Sequence, residues 1–394
     1  MSPVHRGPDG AAPTGSAAGA ATSGLVHVVG TRPNFVKAAP VVSALSARGV
    51  RQRVVHTGQH YDDALSAVFF RELGLPRPDV DLGVGSGTHA AQTAALMTGL
   101  AEEFAACSPE AVIVYGDVNS TLAAALVAAK ENIPVAHVEA GLRSFDWTMP
   151  EEVNRRLVDQ MAELCFATSP EAVGHLAREG IDVSRIHLVG NPMIDTLLAH
   201  LDRFDAQGLR TELGLPERYV AATLHRPANV DNPEVVSHLV ARLGEVAEQV
   251  PLVIPVHPRG RAALEAAGLT GHPQVRLLPP LGYRQFVSLA RGAAAVITDS
   301  GGVQEETTML GVPCLTLRAT TERPVTVSHG TNRLVDAAEL PAAITKILDD
   351  TAATEARRSG VAHSTTATGP PMWDGQAGQR IAEVVLDELR PSLG

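Results

Sequence analysis

The sequence predicts an α/β protein with two domains, each built around a parallel sheet that helices cover on both faces. Short, continuous apolar segments such as Ala111–Tyr115 (AVIVY) alternate with helical segments along most of the chain. Strands of that kind are typical of parallel sheets, whose two faces are both buried. The chain has 394 residues, which exceeds the usual size of one domain and suits two.

Runs of apolar residues and helical spacing predict the individual elements. Strands are predicted at 25–29, 52–57, 111–115, 133–138, 164–167 and 186–189 in the first half, and at 219–224, 252–256, 275–278, 294–298 and 314–317 in the second. Helices are predicted at 33–47, 64–73, 90–105, 120–129, 151–161, 170–178 and 233–249, with a last one from about 376 to 389. The alternation pauses near 200–218, so we place the first domain at 25–195 and the second at 196–375.

Composition and charge argue against nucleic acid as a partner. Lys and Arg number 32 against 43 Asp and Glu, which gives a formal net charge of −11. Phosphate backbones bind basic faces, although a local arginine cluster could still bind a small anion. The 3 cysteines are far apart and lack zinc-ligand spacing, so neither a disulfide framework nor a metal site is predicted.

The N-terminal segment at 1–24 is rich in Gly, Pro, Ala and Ser and lacks the apolar segment of a secretory signal. We predict that it is a disordered leader. No apolar run approaches the ~18 residues that a membrane span requires. These observations predict a cytoplasmic protein that does not enter membranes.

Polar residues follow nearly every predicted strand, at the edge where parallel sheets bind their ligands. These strand-end segments are GTRP (30–33), GQH (58–60), GD (116–117), EAG (139–141), GNP (190–192), HR (225–226), HPR (257–259) and DSGG (299–302). With two such domains, the cleft between facing strand ends is the expected active site.

Two of these segments predict anion sites. The sequence SGG at 300–302 opens a predicted helix and presents backbone N–H groups with little side-chain obstruction. Glu305 or Glu306, one turn further on, could reach sugar hydroxyls, and Arg32 could hold a phosphate through two hydrogen bonds. A structural alternative stays open for each segment, namely helix capping at 299–300 and a surface arginine at position 32.

Three carboxylates that end or begin predicted elements are candidate functional residues. Glu139 ends an almost apolar run, where an unpaired charge would be costly, although Arg143 or His137 could satisfy it structurally. Asp117 precedes one predicted helix and Glu151 begins another. Helix capping and an ordinary helix start therefore remain alternatives for these two acids.

His225 and His257 each end a strand of the second half, and each has an arginine nearby. A single strand-end histidine is more often structural, but two with arginines nearby favour a functional site. The segments 320–324 and 330–334, with Arg318 just before the first, are predicted as loops that either close over a ligand or serve as ordinary connections.

These motifs, in this order, resemble the non-hydrolysing UDP-N-acetylglucosamine 2-epimerases. The matching segments are GTRPNFVKAAPVV (30–42), TGQHYD (57–62), YGDVNST (115–121), HVEAGLRS (137–144), MPEEVNR (149–155), GNPMID (190–195), LHRPANV (224–230), PLGYRQFVSLA (280–290), TDSGGVQEE (298–306), GVPCLTLR (311–318), TTERP (320–324) and GTNRLV (330–335). The resemblance implies two Rossmann-like domains in a GT-B arrangement with the active site in the interdomain cleft. It also implies that the final helix, about 376–394, packs on the first domain, and that the protein is a homodimer needing neither metal nor nicotinamide.

The reaction implied by the resemblance interconverts UDP-GlcNAc and UDP-ManNAc. A base removes the C2 proton while UDP is eliminated from C1, and UDP re-adds to the 2-acetamidoglucal after a proton returns on the other face. Matched to this sequence, the catalytic residues are Asp117, Glu139, Glu151 and His225. The residues predicted to bind the UDP-sugar are Arg32, Arg143, Arg226, His257, Ser300, Gly301, Gly302, Glu306 and Arg318, and an allosteric UDP-GlcNAc site would include Gln59 and His60.

Four positions depart from the family pattern, and they bear on allostery and on the exact sugar more than on the reaction type. They are Asn34, Ala319, Val325 and Asp336. Three alternatives stay open: a hydrolysing 2-epimerase that releases ManNAc and UDP, a GT-B glycosyltransferase, and a sugar-nucleotide sensor without catalysis. Pro33 after Gly-Thr-Arg favours the non-hydrolysing type.

Overall fold

The structure is a computed structural model that describes residues 24–58, 74–256, 258–350 and 369–393. Its strands are β1 (Leu25–Val29), β2 (Gln52–His56), β3 (Val80–Asp81), β4 (Ala111–Tyr115), β5 (Val135–Ala140), β6 (Leu164–Ala167), β7 (Ile186–Leu188), β8 (Val220–Thr223), β9 (Leu252–Pro255), β10 (Val275–Leu278), β11 (Ala295–Thr298), β12 (Cys314–Leu317) and β13 (Asn332–Val335).

The α-helices are α1 (Arg32–Ser46), α2 (His89–Cys107), α3 (Asn119–Lys130), α4 (Pro150–Met161), α5 (Pro170–Arg178), α6 (Pro192–Ala199), α7 (Ala206–Glu212), α8 (Pro227–Val230), α9 (Pro233–Gln249), α10 (Pro258–Ala266), α11 (Tyr283–Gly292), α12 (Gly301–Leu310), α13 (Val325–Ser328), α14 (Leu340–Asp349) and α15 (Ala377–Leu393). Short 3-10 helices are Val183–Arg185, Leu201–Arg203, Leu269–Gly271 and Ala337–Glu339. The helix predicted at 64–73 lies outside the described residues.

The two predicted parallel sheets are confirmed. The first has the strand order β3-β2-β1-β4-β5-β6-β7 and the second the order β10-β9-β8-β11-β12-β13, and the strand pairs are parallel in both. In each sheet the strand order reverses beside one strand, β1 in the first and β8 in the second. Such a reversal leaves a crevice at the carboxyl ends of the strands, where ligands bind.

Strand β4 shows why an uninterrupted apolar run forms a central strand here. Its side chains alternate between the two faces of the sheet, and both faces are covered. Ile113 packs in one core with Phe35 of α1 and Ile381 of α15. Val114 packs in the other core with Leu96 of α2. A polar residue at either position would therefore be buried.

The last helix, α15, packs on α1 of the first sheet. A Cβ on Gly378 would lie 2.7 Å from the carbonyl oxygen of Pro40, so the two helix backbones are in direct contact. The amide of Gly378 also donates to Oδ2 of Asp195 in α6 at 2.7 Å. Since α6 contacts both α1 and α12, the domain boundary predicted between residues 195 and 196 falls within a helix that contacts both halves.

Two strands lie outside the sequence prediction. Val80–Asp81 forms a two-residue edge strand beside β2. The loop predicted at 330–334 is wrong in part, because Asn332–Val335 pairs in parallel with β12. Both strands lie at sheet edges, where polar residues are tolerated and no continuous apolar run is needed.

Candidate active site

The facing ends of the two sheets contact each other through charged side chains. Nη2 of Arg323, in the loop after β12, donates to Oε1 of Glu139 at the end of β5 at 2.8 Å. Nη1 of Arg226, after β8, lies 3.8 Å from Sδ of Met149, directly before α4. These two contacts join the halves across the cleft, one at the end of β5 and one at the start of α4.

Glu139 occupies an unusual backbone position at this contact. The register between β5 and β6 shifts between Val138 and Ala140, and Glu139 has a positive φ of 80°. That conformation costs a residue with a side chain about 1–3 kcal/mol and is found most often at functional sites. The carboxylate is buried at 3% exposure, with Lys37 of α1 and Arg323 as its ion-pair partners. Burial alone would raise the pKa of Glu139, but these two cations outweigh it and lower the pKa.

Gly116, after β4, leaves room for this ion pair. It has a φ of 66°, and a Cβ there would lie 3.1 Å from both Oε2 of Glu139 and Nζ of Lys37. Any side chain at this position would therefore meet both a strained backbone and the charged pair.

Asp117 follows Gly116 and is held by α4. Oδ2 of Asp117 accepts from Nη1 of Arg155 at 2.5 Å, and its backbone carbonyl accepts from Nδ2 of Asn154 at 2.8 Å. The residue at the capping position of α3 is Val118, so Asp117 is not the cap. Glu151 lies partly buried in the first turn of α4, where its charge acts on Arg226 across the cleft.

His225 forms a pair with a buried aspartate. Its Nδ1 lies 2.9 Å from Oδ1 of Asp299, while 49% of its side chain is exposed. Asp299 also accepts from the backbone amides of His225 and Arg226 and from Nδ2 of Asn229. Burial alone would raise the pKa of Asp299, but His225 and these donors lower it. The pair fixes the ring of His225 and directs Nδ1 toward Asp299.

A cluster of arginines follows β8 and β12. Nη2 of Arg318 donates to Oε2 of Glu322 at 2.6 Å, and Nη1 of Arg323 donates to Oε1 of Glu322 at 2.5 Å. Nη2 of Arg226 lies 3.8 Å from the same carboxylate. Burial alone would raise the pKa of Glu322, but the surrounding arginines lower it far below its usual range. The cluster carries the local positive charge that a phosphate group requires.

Helix α12 begins beside this cluster. Ser300 occupies its capping position without a side-chain capping bond, so the predicted capping role is not realised there. A Cβ on Gly301 would lie 2.3 Å from Nη1 of Arg323, so the first turn of α12 packs directly against that guanidinium. A Cβ on Gly302 would lie 2.9 Å from Cε of Met193 in α6, so this glycine is also tightly packed. Glu306, in the second turn of α12, is buried, and burial raises its pKa to about 8.

The two remaining described arginines of the prediction differ in their surroundings. Arg32 is the first residue of α1 and is partly buried. Arg143 is buried at 1% exposure, with Nη1 2.7 Å from Oδ2 of Asp159 and Nη2 2.6 Å from Oε2 of Glu179. These ion pairs occupy the guanidinium of Arg143 and favour a structural role over contact with a ligand. They also leave Arg143 unavailable as the structural partner of Glu139.

Asn34, the first departure from the family pattern, ties two strand ends together. Its Oδ1 accepts from the amides of Gly30 and Thr31 at 3.0 and 3.1 Å, and its Nδ2 donates to the carbonyl of Tyr115 at 2.9 Å. The amide side chain supplies both donors and acceptors, which a carboxylate could not. Asn34 therefore fixes the start of α1, and with it Lys37, against the end of β4.

Gln59, His60 and His257 lie outside the described residues. Across the described ranges, no group of three or more His, Cys, Asp or Glu side chains is arranged to hold a metal ion. The helices described here include none with the length and apolarity needed to cross a membrane.

Sequence reasoning did not assign three residues of this site. Lys37 lies in the segment GTRPNFVKAAPVV (30–42) without an assigned role, and Arg323 belongs to a segment predicted only as a loop. For Asp299, helix capping is the structural alternative in the sequence, and no histidine partner is predicted. Lys37 and Arg323 both pair with Glu139, and Asp299 pairs with His225. The partners in each pair are far apart in sequence, so the pairing leaves no local sequence signal.

Comparison with known proteins gives the family. The profile of the UDP-N-acetylglucosamine 2-epimerase family matches residues 43–386. A UDP-N-acetylglucosamine 2-epimerase of Methanocaldococcus jannaschii is 40% identical over 321 residues, which cover 79% of this chain and 88% of that protein. A UDP-2,3-diacetamido-2,3-dideoxy-D-glucuronate 2-epimerase of Pseudomonas aeruginosa is 38% identical over 365 residues, which cover 91% of this chain and 98% of that protein.

The fold agrees with that assignment. The crystal structure of the Methanocaldococcus jannaschii UDP-GlcNAc 2-epimerase in complex with UDP-GlcNAc and UDP superposes with a TM-score of 0.81 at 37% identity, covering 92% of this chain and 99% of that one. The two parallel sheets of this chain, of 7 and 6 strands, lie within a chain that superposes over 92% of its length. This chain belongs to the UDP-N-acetylglucosamine 2-epimerase family.

Proposed function

We propose that this chain is a non-hydrolysing epimerase that interconverts UDP-GlcNAc and UDP-ManNAc. The observation that carries the proposal is Glu139, a buried carboxylate on a strained strand end that meets cations from both halves of the cleft. Epimerisation at a carbon beside an anomeric centre needs a base held in a dry, charged site. The relatives that match over most of the chain are named 2-epimerases of UDP-sugars.

The first half of the reaction breaks the C2–H and C1–O bonds and forms an O–H bond on the base and the second bond between C1 and C2. A carboxylate takes the C2 proton, the electron pair forms the C1–C2 double bond, and the C1–O bond to UDP breaks. We assign Glu139 to the residues that transfer the C2 proton, because it lies at the contact between the sheets. The products, 2-acetamidoglucal and UDP, stay in the cleft.

The second half returns a proton to C2 on the opposite face, and UDP adds back to C1. Epimerisation therefore benefits from a second proton-transferring group on the other side of the sugar. The described candidates are Asp117, Glu151 and His225. Asp117 follows β4, Glu151 lies in the first turn of α4 and His225 follows β8, all at the same cleft. Arg155 holds the carboxylate of Asp117 and Asp299 holds the ring of His225, so both are oriented before substrate arrives.

The leaving UDP requires positive charge and N–H donors. We propose that Ser300, Gly301 and Gly302 present the amides of the first turn of α12 to the diphosphate. Arg226 and Arg318 belong to the arginine cluster beside the start of α12 and supply positive charge, and Arg32 begins α1 across the cleft. Glu306, further along α12, is assigned to the ribose hydroxyls.

The remaining parts of the proposal concern the state of the protein. The homodimer and the cytoplasmic location implied by the family resemblance are included in it. So are the domain limits, with 25–195 and the last helix in the first domain and 196–375 in the UDP-binding domain. Size-exclusion chromatography with light scattering measures the oligomeric state directly.

Product analysis tests the reaction type. Incubation with UDP-GlcNAc, followed by proton NMR and anion-exchange chromatography, is expected to yield UDP-ManNAc with the nucleotide still attached. Free ManNAc and UDP as the main products would contradict the proposal and support the hydrolysing alternative. Transfer of the sugar to an added acceptor without a change at C2 would support a glycosyltransferase. A parallel incubation with the diacetamido-uronate nucleotide tests whether that sugar is preferred.

Asp299→Asn is expected to lower turnover by about 10–100-fold while UDP affinity stays near the wild-type value. The asparagine side chain has nearly the shape of Asp299, but it lacks the negative charge that accepts the Nδ1–H of His225. Steady-state kinetics and calorimetry of UDP binding measure the two quantities. Asp202→Asn, at an exposed position, is the matched control. Unchanged turnover in Asp299→Asn would contradict the positioning role of Asp299.

A further inference from the structure

Arg323 contacts three carboxylates at once. Its Nη2 lies 2.8 Å from Oε1 of Glu139, its Nε lies 2.8 Å from Oε1 of Glu305, and its Nη1 lies 2.5 Å from Oε1 of Glu322. Glu139 belongs to the first sheet, whereas Glu305 lies in α12 and Glu322 in the loop after β12. Since the guanidinium is buried, these attractions are stronger than the same contacts would be in water.

The same guanidinium packs against the start of α12. A Cβ on Gly301 would lie 2.3 Å from Nη1 of Arg323, and the first-turn amides of α12 are the proposed diphosphate site. One side chain therefore contacts both the proposed base, Glu139, and the proposed position of the leaving group. The inference drawn from this geometry rests on the proposed function.

We propose that Arg323 is a positioning residue that couples nucleotide binding to Glu139. A diphosphate bound at the start of α12 draws Arg323 away from Glu139, and this leaves Glu139 as a stronger base. Arg323 in turn stays beside the diphosphate and stabilises the charge that develops on UDP when the C1–O bond breaks.

The charges around Glu139 set the direction of this effect. The groups that act on its carboxylate come from several elements: Lys37 of α1, His137 of β5, Arg323 of the loop after β12 and Glu305 of α12. Lys37, Arg323 and His137 favour the ionised carboxylate, whereas burial and the negative charge of Glu305 oppose it. Withdrawal of Arg323 removes one of the two nearest cations, so Glu139 then binds a proton more readily.

Linkage makes the coupling measurable without turnover. If UDP binding raises the proton affinity of Glu139, the protein takes up protons when UDP binds, at pH values between the pKa of Glu139 in the free and in the bound protein. Calorimetric titration with UDP in buffers of different ionisation enthalpy counts these protons. Comparison of the wild type with Glu139→Gln at each pH cancels the protons that belong to UDP and to other side chains.

The wild type is expected to take up more protons than Glu139→Gln at acid pH, because the pKa of Glu139 in the free protein is lowered by Lys37 and Arg323 despite its burial. In an Arg323→Gln background this difference is expected to fall to less than half, and UDP affinity to fall at least ~10-fold. Arg333→Gln, which changes an exposed arginine paired with Glu339, is the matched control and should behave as the wild type. If Arg323→Gln does not fold, Arg323→Lys replaces it, because a single ammonium cannot span Glu139 and the start of α12, and the same losses are expected.

Two results would overturn the inference and leave the proposed function standing. One is UDP binding with equal proton uptake in the wild type and Glu139→Gln. The other is an uptake difference that stays unchanged in the Arg323 variant. Failure of UDP to bind the wild type would instead overturn the proposed function and this inference together.

Discussion

Replacing Glu139 by Gln is expected to lower epimerase turnover by at least ~10²-fold while UDP still binds. Glutamine has nearly the shape of Glu139 but cannot accept the C2 proton. It also leaves Lys37 and Arg323 without their shared carboxylate, which adds to the loss. Turnover is measured with UDP-GlcNAc, and UDP affinity by calorimetry on the same preparation.

The control for this variant is Glu131→Gln. Glu131 lies exposed directly after α3, and its loss should leave turnover at the wild-type level. Turnover of Glu139→Gln within a few-fold of the wild type would show that Glu139 is a structural ion-pair residue. The site would then have to be rebuilt around Asp117, Glu151 and His225.

Asp159→Ala is expected to lower the free energy of unfolding by about 3–5 kcal/mol. Asp159 is fully buried and accepts from Nδ1 of His137 at 2.7 Å and from the amide of Gly141 at 3.1 Å, and it pairs with Nη1 of Arg143 at 2.7 Å. Removal of its carboxylate leaves these buried donors without their acceptor, which costs more than the pair itself contributes. Urea denaturation followed by circular dichroism measures the change.

Glu163→Gln, four residues further along the chain and exposed, is the matched control for the stability measurement. It should change the free energy of unfolding by less than about 0.5 kcal/mol. If Asp159→Ala were as stable as this control, the segment from β5 to α4 would not depend on the buried network, and the position of Glu139 would need another explanation.

The central strands could be predicted because burial on both faces leaves a clear sequence pattern. AVIVY of β4 is an example, with every residue buried. β3 and β13 lack that pattern, since β3 has only two residues and β13 includes Asn332 and Arg333. Their positions are set by pairing with β2 and β12, which a local pattern does not encode.

The candidate site was predictable to the extent that its residues follow strands. Asp117, Glu139 and His225 were found in that way, because parallel strands bring their carboxyl ends to one edge. The partners of these residues could not be predicted from the sequence. Lys37 and Glu139 are 102 positions apart, and Arg323 and Glu139 are 184 apart, so only the folded chain reveals that the three are in contact. Arg143 shows the converse, since its place in a strand-end motif predicted a ligand contact and its buried partners favour a structural role.

The central claim is that a proton leaves C2 and is replaced on the opposite face. Incubation with UDP-GlcNAc in D2O, with proton NMR and mass spectrometry of the separated nucleotides, tests it directly. We predict that UDP-ManNAc forms with deuterium at C2 and that recovered UDP-GlcNAc gains deuterium there as equilibrium is approached. UDP-ManNAc that retains protium at C2 would contradict the account.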